Sequence, residues 1–186
     1  LRALAAAAWR VNPPKYRLVA DLLTRLRELE KDAEEREKLS MQVADCHFLA
    51  GDYGSAAALY TDLRTSAKNS IIAERALTQA VNAFLATGDI EKTIRWMDEI
   101  SRSSTLGVVR WEAEWNLIAR LQEMNRIPEA FERTQTLLAK AGSLPMDFRA
   151  RLMWLDASLA LTMQEPKEAL SKAEYALDFL TKSEGL

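Results

Sequence analysis

The sequence predicts an all-α chain, an α-solenoid of about nine or ten helices stacked as antiparallel hairpins, and three observations support this. Short helix-breaking turns recur at Gly51-Asp52, Gly88-Asp89, Asn125-Arg126 and Gln164-Glu165, at intervals of 37, 37 and 39 residues. A fixed period in this range marks repeated helix–turn–helix units. Five residues after each turn stands a small side chain, Ala56, Thr93, Ala130 or Ala169, where two helices of a hairpin must cross closely. Breakers are otherwise scarce: six Gly and five Pro, most of them at the turns, leave the remaining chain free to be helix.

The elements follow in order from breakers and periodicity. Residues 1–10 read as a helix fragment closed by Asn12-Pro13-Pro14, and the prolines are expected to open the next helix, where a missing N–H costs nothing. That helix runs to about 30 with Leu18, Leu22, Leu26 and Leu29 on one face. Asp32 is the expected N-cap of a third helix, with Glu35 completing a capping box. Leu39, Val43, Cys46, His47 and Ala50 then recur at helical spacing as far as Gly51. Further helices are expected near 53–67, 70–87, 90–103, 108–124, 127–141, 145–163 and 166–182. They pair as hairpins at roughly 1–30, 33–67, 70–103, 108–141 and 145–182. Joints between hairpins fall at 66–70, 101–107 and 141–145. Acid-before-base pairs four residues apart (Glu34/Lys38, Glu91/Arg95, Glu129/Arg133, Glu168/Lys172, Asp178/Lys182) mark solvent-facing stripes. No composition shift divides the chain, which reads as one repeat domain. It starts inside a helix, without an initiating Met, as a piece of a longer protein would.

Composition narrows the function classes. The chain is 48% hydrophobic and 28% charged, the balance of an ordinary folded domain. Its 25 basic and 27 acidic side chains nearly cancel, so the basic stripe that a nucleic-acid partner requires is not expected. No apolar run reaches the length of a membrane span. A single cysteine excludes an internal disulfide and leaves the compartment open, bacterial cytoplasm and cell envelope alike. No Gly-rich phosphate loop occurs. Cys46 and His47 are neighbours on a helix and so diverge, and His47 is the sole histidine. Both are expected in the core, and no metal, cofactor or catalytic site is expected. The acidic run from Glu28 to Glu37 is interleaved with Lys31 and Arg36 and reads as a solvated junction.

The turn-bearing segments resemble the tetratricopeptide repeat (TPR). Ala44–Leu63, ADCHFLAGDYGSAAALYTDL, carries the small residue, the Gly-Asp-Tyr turn, Ala56 and the aromatic Tyr60. Ala76–Ile100 keeps Ala83, Phe84, Gly88 and Asp89 but has Thr93 where the family prefers Ala. The later copies are degenerate, with Asn125 and Gln164 at the turn, as in degenerate bacterial-type repeats, and a weaker copy surrounds Asn12-Pro13. The resemblance implies a right-handed superhelix in which the first helix of each hairpin lines a concave, partner-binding groove.

On that expectation the groove gathers Met41, Thr78, Trp115 and Trp154, each ten residues before its turn, with Asp45, Arg75, Asn82, Glu112, Asn116 and Arg151 around them. Trp115 and Trp154 would be anchors, and Asn82 and Asn116 would hold a partner's backbone. The helix at 108–124 carries two apolar stripes, Val108/Trp111/Trp115/Ile118 and Leu117/Leu121/Met124, as an inner-layer helix would. Some family members clamp a C-terminal carboxylate across successive first helices. Asn82, Asn116 and Arg151 match that set by type, but Thr78 and Leu155 stand where cations belong, so a clamp is not expected. The expected function is a protein–protein interaction scaffold holding a peptide or helix of another protein. The alternative is a structural or self-associating segment of a longer solenoid, building a homo-oligomer.

Overall fold

The computed structural model describes residues 1–103, 108–140 and 145–183, with the side chains at 101–103, 108–109 and 183 excepted. Among the described residues there are ten helices and no strand. They are α1 (Arg2–Arg10), α2 (Tyr16–Leu29), α3 (Ala33–Leu49), α4 (Tyr53–Ser66), α5 (Ser70–Thr87), α6 (Ile90–Ser103), α7 (Val108–Glu123), α8 (Ile127–Leu138), α9 (Met146–Thr162) and α10 (Pro166–Ser183). The chain divides into two compact units, Leu1–Ala113 and Glu114–Leu186, with the boundary inside α7. The expected joints at 101–107 and 141–145 fall largely outside the described residues.

All four turns bend the backbone the same way. Gly51, Gly88, Asn125 and Gln164 have φ of 78°, 80°, 60° and 63°, the left-handed region. In three of them the next residue's N–H returns to the carbonyl five residues back: Asp52 to His47 at 2.9 Å, Arg126 to Leu121 at 2.8 Å and Glu165 to Ala160 at 3.1 Å. This is the Schellman closure, which satisfies carbonyls that a helix end leaves bare. At Gly88 the Thr87 hydroxyl donates to the matching carbonyl, that of Phe84, at 2.6 Å. The small residues five positions on are all buried: Ala56, Thr93 and Ala130 at 0% exposure, Ala169 at 7%.

Within the first unit, each hairpin covers the flank of its neighbour. Val19, Ala20 and Leu23 of α2 pack with Leu39, Val43 and Cys46 of α3. Ala57, Tyr60 and Leu63 of α4 meet Ala76, Ala80, Ala83 and Phe84 of α5. In the second unit, α9 packs against both α8 and α10, and Leu152, Leu155, Leu159 and Ala160 are buried.

Several local expectations change. α2 begins at Tyr16 and not at the prolines, because the Lys15 N–H is spent across the turn on the Ala8 carbonyl at 3.1 Å. Its buried face is Val19, Ala20 and Leu23, while Leu18 and Leu29 are exposed. Steps of four residues advance about 40° beyond a full turn, so the leucine series spirals off the packed side. The capping box at Asp32 is half made. Its carboxylate accepts from the Glu35 N–H at 2.9 Å, but its own N–H goes to Glu30 Oε1 at 3.2 Å, while Glu35 pairs with Lys38. α8 stops at Leu138, where the Lys140 N–H folds back onto the Leu137 carbonyl. Of the four-residue ion pairs, Glu34–Lys38, Glu168–Lys172 and Asp178–Lys182 form, at 3.0, 3.2 and 2.7 Å. Glu129 also bonds Arg126 at 2.6 Å, and Arg133 reaches Glu114 on α7 at 2.8 Å.

Candidate functional site

The run Ala5 to Ala8 gives α1 short side chains where it faces the next hairpin. Alanine fills little of the gap between helix backbones, and a cavity of about 570 Å³ opens along α1, α2 and α3. Its floor is apolar: Ala5, Val19, Leu23 and Leu39 are buried and Leu26 is half-buried. Its rim is mixed, with Arg2, Trp9 and Arg10 from α1 and Glu35, Lys38, Gln42 and Asp45 from α3. The size and the apolar floor with a few polar groups fall in the range of ligand-binding clefts.

The rim is partly fixed by its own contacts. Trp9 lies edge-on to Tyr16, ring centroids 5.3 Å apart, and keeps 43% of its surface exposed. Arg2 lies 3.5 Å from Glu30 and 3.8 Å from Glu35. Hydrogen bonds from Lys38 to Glu34 and then Glu35 raise the lysine pKa to about 12, so its charge is permanent at neutral pH. At the far end Asp45 accepts from the Tyr60 hydroxyl at 2.7 Å and from Arg75 at 2.8 Å. Burial first, then the bond to Asp45, push the Tyr60 phenol well above its ordinary pKa. It stays a neutral donor. Arg10 and Gln42 are exposed at the mouth, and Gln42 offers both an amide donor and an acceptor to a bound backbone.

The ten expected groove residues are distributed over both units. In the first, Asp45 alone among them lines the cavity. Met41 is 3% exposed and packed in the core with Ala44 and Tyr60. Arg75 is exposed and joined to Asp45, Thr78 is half-buried, Asn82 is half-buried and donates to Gln79 at 3.5 Å, and Glu112 is exposed. In the second, Trp115 is half-buried and edge-on to Phe148, centroids 6.2 Å apart. Asn116 is half-buried, Arg151 is exposed, and Trp154 is 64% exposed. The slot ten residues before the turn therefore runs from buried at Met41 to open at Trp154. On α7, Trp111, Leu117, Ile118 and Leu121 are buried, Met124 just beyond its end is exposed, and the Val108 side chain lies outside the described residues.

Sequence reasoning missed Trp9, Leu26, Lys38 and Gln42. The available signal was the alanine run itself, which leaves a helix too thin to close against α3. The pair Cys46–His47 also resolves. Cys46 is buried, its thiol pushed up to about 11 by burial and then by Asp45. His47 is not core: it is half-buried, with Nδ1 3.1 Å from Asp52 Oδ2, because the turn's N-cap carboxylate lies within its reach. The two side chains belong to different surroundings. Among the described residues no group of three His, Cys, Asp or Glu is placed to hold a metal ion, and no helix is long and apolar enough to cross a membrane.

No protein-family model and no curated protein matches the chain. Solved structures do. Two of a putative kinesin light chain from Podosopora anserina, described as nearly identical TPR-like repeats, each align with a TM-score of 0.61. One, a variant, is 15% identical over 100% of this chain and 97% of its own length; the other is 16% identical over 98% and 96%. At that identity the likeness shows the fold alone, and the chain has a TPR-like helical-repeat fold.

Proposed function

We propose that this chain is a protein-interaction scaffold that holds an extended or helical segment of another protein in the cleft formed by α1, α2 and α3. One observation carries the reading: a cavity of about 570 Å³ with an apolar floor opens beside a half-exposed tryptophan, with a charged and amide-bearing rim. An apolar partner side chain would fill the floor over Leu23, Leu26 and Leu39. Gln42 would bond the partner's backbone, and Arg10 and Lys38 would favour a carboxylate beside the anchor. Catalysis has no support here, because no nucleophile with an adjacent base lines the cleft.

The test is peptide selection against the folded chain, followed by titration of the selected peptides into Gln42→Trp. This substitution places a large ring in the cleft from an exposed position and leaves the core untouched. The expected result is at least a tenfold loss of affinity with an unchanged melting temperature. Undiminished binding to the variant would move the site elsewhere, and failure to select any peptide would remove the proposal.

A further inference from the structure

The second unit has a cavity of its own, about 370 Å³, bounded by α8, α9 and α10. Its floor is apolar: Met153 of α9 is 6% exposed and Leu138 of α8 is half-buried. Lys172 ties α10 to α8 beneath it, the ammonium 5.0 Å from the centroid of the Phe131 ring. Ser171 and Tyr175 stand at the mouth, about 100° and 140° around α10 from Leu170. The cavity therefore opens on the α8 side of α10, away from the flank that Leu170 and Leu177 share.

The polar groups around this cavity are unbalanced toward donors. The one carboxylate in its wall, Asp156, is spent: Oδ1 accepts from Gln135, and Oδ2 from Lys172 at 2.8 Å. Arg149, also in the wall, has no carboxylate partner among the described residues. Its guanidinium lies 4.7 Å from the centroid of the Phe179 ring, and its enclosed Nε–H meets no acceptor. A guanidinium stacked on an aromatic face keeps its in-plane N–H groups for an oxyanion. An enclosed donor left unpaired costs free energy that a bound acceptor would offset. Lys172 has three N–H groups, and Asp156 and Glu168 take two of them, at 2.8 and 3.2 Å. The Ser171 and Tyr175 hydroxyls are exposed and can turn as donors.

We propose that this cavity binds a small organic oxyanion, a carboxylate or phosphate monoester carried on an apolar body. Arg149 and the remaining Lys172 N–H hold the charged oxygens, the two hydroxyls close over them, and the body rests on Met153 and Leu138. The volume is near the lower end of ligand sites, so the body is small.

Titration of the folded chain with phenyl phosphate and with benzoate, read by calorimetry and amide shifts, tests this. At least one of them should saturate and move the amides of Arg149, Ser171 and Tyr175, and the tighter of the two names the headgroup. Inorganic phosphate lacks the body and benzamidine inverts the charge; each should bind at least tenfold more weakly. Arg149→Met keeps the stem and removes the donors, and should weaken binding at least tenfold. Ser171→Glu sets a carboxylate at the exposed mouth and should weaken it equally at an unchanged melting temperature. Ser171→Gln, of the same size, should bind within a few-fold of wild type. The two Ser171 variants decide the matter should Arg149→Met fail to fold. Saturation by neither probe would overturn the proposal. So would benzamidine or inorganic phosphate binding as tightly as the better probe, undiminished binding to Ser171→Glu, or an equal loss in Ser171→Gln.

Discussion

The two units build the same hairpin with different chemistry at one slot. Eight residues after the turn, the first unit places Leu59 and Trp96, and the second places Arg133 and Lys172. Leu59 packs against both core clusters of its unit, and Trp96 lies edge-on to Phe84, centroids 5.5 Å apart. Arg133 instead meets Glu114, whose side chain is 3% exposed, and Lys172 meets Asp156, whose side chain is 10% exposed, both at 2.8 Å. Gln135 adds a hydrogen bond to Asp156. Burial alone would lower the Lys172 pKa, yet Asp156 and Glu168 together raise it. The comparison teaches that the repeat constrains how closely helices approach, while the slot beside the crossing accepts an apolar side chain or a satisfied ion pair.

The largest effect expected from breaking this comparison is at Asp156. Asp156→Ala leaves Lys172 only its exposed partner Glu168 and takes the acceptor from Gln135, and should cost about 3 kcal/mol, read as a lower denaturation midpoint. Asp156→Leu with Lys172→Met converts the slot to the apolar kind, and should recover most of that loss, since a packed apolar pair replaces a buried ion pair at little cost. A double variant as weak as Asp156→Ala would show that the slots are not interchangeable. In the first unit, Leu59→Ala removes half-buried packing only and should cost about 2 kcal/mol. A loss as large as that of Asp156→Ala would contradict the contrast.

The turns give a smaller contrast. A Cβ at Gly88 would meet nothing within 4 Å, so Gly88→Ala should cost only the left-handed backbone penalty, about 1 kcal/mol. Gln164 already bears that penalty, and Gln164→Gly should raise stability by about 0.5 kcal/mol once the added freedom of the unfolded chain is subtracted. Opposite signs at equivalent positions, measured by thermal melts, are the expected outcome. Equal signs would mean that the two turns are not equivalent.

The smallest effect is a pH dependence at one joint of the first unit. Glu37 on α3 accepts from the Lys68 and Asn69 N–H groups at 2.8 and 3.1 Å. The Lys68 bond and then the Asn69 bond hold its pKa below the ordinary value. A depressed folded-state pKa means that the carboxylate stabilises the fold above the ordinary carboxylate pKa. That contribution fades as pH falls through the lowered value. The protection of the Lys68 and Asn69 amides, measured as exchange relative to the intrinsic rate at each pH, should therefore fall on acidification, and Glu37→Gln should lower it at every pH and remove this pH dependence. Slow, protected amides in Glu37→Gln would contradict the assignment.

The helix ends that meet at the four turns were legible almost to the residue, because the turns recur at nearly constant intervals, whereas the start of α2 and the end of α8 were not. Gly51 and Gly88 announce the left-handed joint; Asn125 and Gln164 show it only through their place in the period. The packed face of α2 was less legible, since a leucine every fourth residue looks like a stripe but winds around the helix. The same limit applied to Glu37. Within an acidic run it reads as solvated, and only the fold brings the α4–α5 joint to it. The cleft was hidden for a related reason: it is defined by what Ala5 and Ala6 fail to fill. Periodicity drew attention toward Trp115, which stands ten residues before a turn, and away from Trp9, which belongs to no recognisable repeat position.

An amide-shift map by NMR, with a peptide selected on the wild-type chain, tests the functional account most directly. Perturbations centred on Trp9, Leu26, Lys38, Gln42 and Asp45, with Trp154 and Arg151 unmoved, are the predicted result. A map centred on Trp115, Asn116 and Trp154 would contradict it and place the binding surface in the second unit.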